Sequence, residues 1–286
     1  MKKLTKVAAL LMALALIVTA FAACSGDKNT DPSKADSSNA DTSNSADANA
    51  VKYTARKDDG KLIMATNATF PPYEYKDGDK IVGIDAEVAE KIAEKLGKEL
   101  VIEDVEFGSI IAGVQTGKYD MGMAGMTVTP EREKSVNFTK SYAKGVQAVI
   151  VTEDSPIKSL DDLKGDGSMK FGVQQDTTGD IYASDTAENG GYGEENVIRF
   201  KAATDTVQAL KSGKVDAVII DNEPAKSFVA STSGLKILDG AWVDEDYAVC
   251  VAKENTELLN QVNKALDELK ADGTLQQIVD KYIPAN

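Results

Sequence analysis

Two scarcities decide which chemistry this chain can perform. Its 286 residues include no histidine and only two cysteines, Cys24 and Cys250. Ser-His-Asp and Cys-His relays and histidine-ligated metals are therefore excluded. Two cysteines this far apart make neither a disulfide framework nor a CxxC metal site. Lys plus Arg number 32 against 46 Asp plus Glu, a net charge of −14, so clustered cations for a nucleic-acid backbone are missing and no nucleic-acid partner is expected. The acids are scattered along helix faces, so no metal and no cofactor is expected either. Cys250, between Val249 and Val251, reads as a small buried hydrophobe. The polar groups best placed for a site stand at two apolar strand ends, MAGMT (123–127) and IIDN (219–222).

The elements that must position those ends alternate strand and helix patterns, which implies an α/β architecture. Residues 61–65 (KLIMA) and 99–106 read as strands. Residues 83–97 read as a helix, with Ile84, Val88 and Ile92 four apart and Gly97 as its stop. Further helices are predicted at 109–116, 204–212, 256–271 and 275–282, and a strand at 247–252. GVQTGKYDMGMAG (113–125) is echoed 96 residues later by ALKSGKVDAVIID. The echo suggests two similarly built lobes whose strands end at a shared crevice, the place where such sheets bind ligands.

The N-terminus reads as an address. Lys2, Lys3 and Lys6 precede an uncharged 17-residue run, 7–23, that ends in small residues as a secretory signal does. Ala22-Ala23-Cys24 resembles a lipobox, which would make Cys24 the lipidated first residue, carrying acyl chains such as palmitate. Residues 25–50 hold no side chain more apolar than alanine. They are expected to form a disordered tether reaching roughly 25–30 Å.

Five stretches carry a family resemblance: ATNATFPPYEYKDGDKIVGIDAEVAEKIAEKLG, VEFGSIIAGVQTGKYDMGMAGMTVTPEREKSVNFT, FGVQQDTTGDIY, LKSGKVDAVIIDNEPA and ALDELKADGTLQQIVDKYI. In this order they resemble the bacterial extracellular solute-binding proteins of family 3, the polar amino-acid binding proteins of ABC importers, over nearly all of 61–283. The resemblance implies a type II periplasmic-binding-protein (Venus flytrap) fold, with two α/β lobes on two hinge strands closing around a ligand. Lobe 1 would comprise 51–142 plus 249–286 and lobe 2 would comprise 147–244, with hinges near 142–146 and 245–249. It further implies a monomeric, non-catalytic carrier on the outer side of the cell membrane, anchored through Cys24. Such a carrier takes a free L-amino acid to the permease subunits of a transporter.

By the same resemblance, Arg132 clamps the α-carboxylate, a task for which its planar fork is suited and a lysine is not. The N–H groups of Thr127 and Thr178 complete that anion site beside Thr177. Asp221 takes the α-ammonium together with the Gly125 carbonyl and the Thr127 hydroxyl. Phe70 and Phe107 are aromatic walls, and Asn67, Tyr73 and Gln174 line the side-chain pocket. These neutral residues favour an uncharged polar side chain such as glutamine, asparagine or cystine. Glu74 is expected to point outward on an alternating segment, and Asp176 stands where a glycine commonly precedes the Thr-Thr pair. From their types alone, Arg132 could equally be a solvated helix residue, Asp221 a turn cap and the two phenylalanines core. Two rivals are an enzyme of the cyclohexadienyl dehydratase kind, with Glu74 as its one candidate acid, and a ligand-sensing partner of a receptor.

Overall fold

The computed structural model describes residues 52–164, 167–240 and 243–284. The leader, Cys24 and the tether lie outside them. The first half of the described chain runs β1 (Lys61–Thr66), β2 (Thr69–Phe70), β3 (Glu74–Asp77), β4 (Lys80–Val82), α1 (Ile84–Leu96), β5 (Glu99–Asp104), α2 (Phe107–Thr116), β6 (Met121–Gly122), β7 (Val136–Phe138) and β8 (Ala143–Thr152). It continues with β9 (Phe171–Gln174), α3 (Thr178–Ser184), β10 (Val197–Phe200), α4 (Ala203–Lys211), β11 (Ala217–Asp221) and α5 (Asn222–Ser231). The last elements are β12 (Leu235–Ile237), β13 (Asp244–Tyr247), β14 (Cys250–Ala252), α6 (Thr256–Ala271) and α7 (Thr274–Tyr282).

Two sheets organise these elements. One has the order β5-β1-β6-β14-β7, the other β10-β9-β11-β8-β12, and a small antiparallel sheet β2-β3-β4 stands beside the first. The chain leaves the first sheet ahead of β8 and returns to it after β13. The start of β8 pairs with β13 from Ala143↔Tyr247 to Val146↔Asp244, and its remainder joins the second sheet. The molecule therefore has two α/β lobes joined by two crossover strands that are hydrogen-bonded to each other.

Both faces of each sheet are covered, so the inner strands read as unbroken apolar runs. Leu62 and Met64 of β1 pack into the cluster with α1, α6 and α7, while Ile63 and Ala65 face the cluster under α2. In the second lobe, Ala148 and Ile150 of β8 oppose Val149 and Val151 in the same way. α1 buries Ile84, Val88, Ala89, Ile92 and Ala93, the stripe its spacing predicts.

Some element boundaries differ from those expected. α2 starts at Phe107 and not at 109, and the 247–252 strand is two strands. At the break, the Ala248 N–H bonds the Met126 carbonyl and the Val249 N–H bonds the Thr139 hydroxyl. Those bonds hold the chain as it passes between lobes. α5 has no counterpart among the predicted helices.

Candidate functional site

Parallel strands β1, β6, β9 and β11 end on one crevice. There Asn67, Gly125, Thr127, Gln174, Thr177, Thr178 and Asp221 leave the strand ends or the loops just after them. With Phe70, Phe107 and Arg132 they line one cavity. Of the expected residues only Tyr73 is absent from its wall.

Tyr73 and Glu74 have exchanged the roles expected of them. The β2–β3 hairpin pairs Phe70 directly with Glu74, and directly opposed residues share a sheet face. Phe70 faces the cavity, so Glu74 does too, and it is buried. Tyr73 instead sets its ring edge against Tyr247, 5.1 Å between centroids, and its hydroxyl donates to the Lys144 carbonyl at 3.4 Å. The loop is fixed from behind by α1, because the Ile84 and Asp85 N–H groups bond the Pro72 and Tyr73 carbonyls. Only glycine fits at 83, with φ 124°, since a Cβ there would overlap the Tyr73 carbonyl.

Arg132 opens a short 3-10 turn and is buried. Its Nη1 donates to the Thr127 carbonyl at 2.7 Å and its Nη2 to the Asp176 carbonyl at 3.0 Å. The second of those bonds crosses from one lobe to the other. The Phe107 ring centroid lies 5.2 Å from Cζ, in cation–π range. Arg56 and Arg199 make ion pairs; among the described residues Arg132 makes none. Burial pushes its pKa down, opposed by the charge of Glu245. The loop supporting it turns at Asp176, φ 65°, the one described non-glycine residue with positive φ. The aspartate thus adopts the left-handed conformation that a glycine would hold at lower cost. Its N–H is held by Asp180 Oδ2 at 3.0 Å.

The cavity also has an acidic side chain, Asp221, backed by a second buried acid, Glu245. Asp221 Oδ2 accepts from Gln147 Nε2 at 2.8 Å, and Oδ1 accepts from the Tyr247 hydroxyl. Gln147 also donates to Glu245 Oε2 at 3.1 Å, as does the Thr127 hydroxyl at 2.9 Å. Burial, then the adjacent Glu245 carboxylate, hold Asp221 well above the usual carboxylate range. A cation placed between the two acids would relieve both effects. Gln147 and Glu245 escaped the sequence reading. A glutamine within the apolar run of β8 was the available signal for the first, whereas Glu245 lies in an acidic segment with nothing to set it apart.

The remaining expected residues are committed to architecture as well as to the wall. Asn67 donates to the Val105 carbonyl at 2.7 Å and accepts from Gln174 Nε2 at 2.9 Å, another bond between the lobes. Thr177 caps α3, its hydroxyl accepting from the Asp180 N–H at 3.3 Å. Gly125, φ 50°, lies so close to Phe70 that a Cβ would stand 2.8 Å from the ring, and its N–H donates to Asp85 Oδ2 at 2.9 Å. Cys250 is wholly buried, with its thiol pushed up to about 12 by that burial.

Comparison with known proteins agrees with this geometry. The family described as bacterial extracellular solute-binding proteins, family 3, matches residues 62–285. The arginine-binding extracellular protein ArtP of Bacillus subtilis (strain 168) is 34% identical over 224 residues, covering 78% of this chain and 86% of that protein. Solved structures of an ancestral arginine-binding protein align with TM-scores of 0.72. The one bound to glutamine is 40% identical (79% of this chain, 99% of that one), and the one bound to arginine 41% (78% and 98%). Two crossover strands, a cavity between the lobes and a match along nearly the whole described chain make this protein a member of the bacterial extracellular solute-binding proteins, family 3.

Proposed function

We propose that the cavity captures one free L-amino acid and that the protein carries it, outside the cytoplasm, to the permease of an ABC importer. The observation that carries this reading is the Arg132 guanidinium, buried and held by two carbonyls with no carboxylate for a partner among the described residues. A buried cation so placed lacks an anion, and a free α-carboxylate is a planar one that fits its fork. Asp221, lining the same cavity, supplies the opposite charge for the α-ammonium. Bonds between lobes at Asn67–Gln174 and Arg132–Asp176 give the closed arrangement contacts that an open one would lack, the differential interaction that ligand-driven closure needs.

The neutral pocket expected from Asn67, Tyr73 and Gln174 gains an acid in Glu74. A cationic side chain therefore becomes the favoured guest, arginine first, in keeping with the relatives named for arginine. The lobes of this reading are residues 51–142 plus 249–286 and 147–244. It keeps a monomer held at the membrane by lipid on Cys24, a residue outside those described. A thermal-unfolding screen against the twenty amino acids plus cystine tests it. A true ligand at ~100 times its Kd adds ~2.7 kcal/mol of stability, and no shift with any of them would refute the reading. One observation favours a second reading: Glu74 is a shielded acid facing the cavity, as a dehydratase on this scaffold would need. Product formed from prephenate or arogenate would establish it.

A further inference from the structure

Beneath the cavity wall lies a second acid that the amino-acid reading does not use. Asp85, at the start of α1, is fully buried. Its Oδ2 accepts from the Gly125 N–H and from the Tyr142 hydroxyl, each at 2.9 Å. Its N–H bonds the carbonyl of Tyr73, the residue before Glu74, which sets the two acids side by side. Glu74 Oε2 and Asp85 Oδ1 are nevertheless buried without any donor, and no ion pair reaches either residue among those described. Two neighbouring buried carboxyls, without a cation, cannot both be ionised at modest cost; one shared proton relieves both. The titratable groups around the pair are Tyr142 ahead of β8, Tyr73 on the loop, and Asp221 and Arg132 in the cavity lining. Burial, then the Asp85 charge, push Glu74 well above the usual carboxylate range, while burial raises Asp85 to about 6.

We propose that Glu74 reads the charge of the bound side chain and that Asp85 is its proton-holding positioning residue, so that a cationic ligand expels a proton that a neutral ligand leaves in place. The inference rests on the amino-acid reading. The balance is simple: the guanidinium of arginine keeps its own proton, the Glu74 O–H bond breaks, and the proton passes to the buffer. An uncharged amide accepts a hydrogen bond from the protonated acid and releases nothing there. Both ligands carry the same ammonium to Asp221, so any proton displaced at that end is common to the two and cancels in comparison.

The test is calorimetric titration of the full chain with L-arginine and with L-glutamine, in buffers of different ionisation heat, from about pH 6 to about pH 8. Arginine should release close to one proton more than glutamine. Its affinity relative to glutamine should rise with pH, by up to about tenfold per unit. In Glu74→Gln the difference in proton count should vanish and the arginine preference should be lost. Asp85→Asn removes the like charge and should shrink the difference near neutral pH while arginine still binds, a result that a purely structural role would not give. Thermal unfolding checks that each variant folds, and Glu74→Gln decides alone if Asp85→Asn does not. Equal proton counts for two ligands that both bind would overturn this inference and leave amino-acid capture standing, as would glutamine binding without arginine binding. Absence of binding by any amino acid would overturn both.

Discussion

Arg132→Met separates what the guanidinium does for the fold from what it does for the ligand. In the ligand-free protein the substitution deletes two charge-assisted bonds, to the Thr127 and Asp176 carbonyls, each worth roughly 1.5–3 kcal/mol. It also removes a cation whose burial without a carboxylate costs several kcal/mol. The two nearly offset, so folding free energy should move by less than about 2 kcal/mol. Binding has no such offset, because the ligand carboxylate would be buried opposite a thioether. The expected loss is ~3–5 kcal/mol, or about 10² to several times 10³ in affinity. Arg132→Lys keeps the charge but cannot reach both carbonyls and present two parallel donors, so an intermediate loss is expected. Urea unfolding gives the first quantity and calorimetric titration with L-arginine the second. Arg56→Met serves as the control, since Arg56 pairs with Asp59 and Asp120 away from the cavity. An affinity change in Arg132→Met no larger than in that control would refute the reasoning, whatever the stability.

Other perturbations probe the supports. Gly83→Ala forces a Cβ onto the Tyr73 carbonyl at φ 124° and should cost ~1–3 kcal/mol; it should also weaken binding, because the displaced loop carries Phe70 and Glu74. Unfolding and titration curves matching the parent would show that the loop is not pinned there. Asp176→Gly should change stability by less than about 1 kcal/mol, strain relief offsetting the freer unfolded chain. Asp176→Val, a β-branched residue at φ 65°, should destabilise more, and the reverse order in urea would contradict the assigned conformation. Ligand-free stability should fall as pH rises from about 5 to about 8: Asp221, Glu74 and Asp85 all have raised folded pKa values, so the folded state binds more protons and the slope is negative. Each contribution is complete below the unfolded carboxylate pKa near 4 and is lost as pH passes the folded value; urea midpoints that climb across this window would refute the assignment.

What the sequence discloses and what it hides follow from the range of the interactions involved. α1 and α6 announce themselves because each buries a long apolar stripe, from Ile84 to Ala93 and from Leu258 to Leu269. α5 buries only Pro224, Ala225 and Phe228, too little periodicity to register, and its proline is tolerated because it falls in the first turn. Strand-end positions such as Asp221 were legible because an apolar run stops there. The facing of Glu74 was not, since it depends on a hairpin that returns Glu74 opposite Phe70, and simple alternation does not count residues through a turn. Glu245 depends on a pairing between crossover strands about a hundred residues apart in the chain, which no local pattern encodes. Asp176 shows the converse case: a departure from the family glycine was visible at once, and the backbone kept the glycine conformation.

These placements bear on selectivity. Glu74, Asp85, Asp221 and Glu245 are all buried, and Glu74 and Asp221 line the cavity together with the guanidinium of Arg132. The two ends of an amino acid carry opposite charges and so leave the charge of the site unchanged on balance, whatever the side chain. An excess of acid over base remains, and either protons or a cationic side chain must compensate it. Protons serve when the ligand is neutral, and the positive side chain displaces one when it is not. Shape alone discriminates weakly between extended side chains of similar length, whereas each pH unit of displaced-proton free energy is worth about 1.36 kcal/mol. On this argument, discrimination between an amide and a guanidinium is set by how firmly Asp85 keeps the proton of Glu74. A substitution that alters that grip without touching the cavity wall should change which amino acid is preferred.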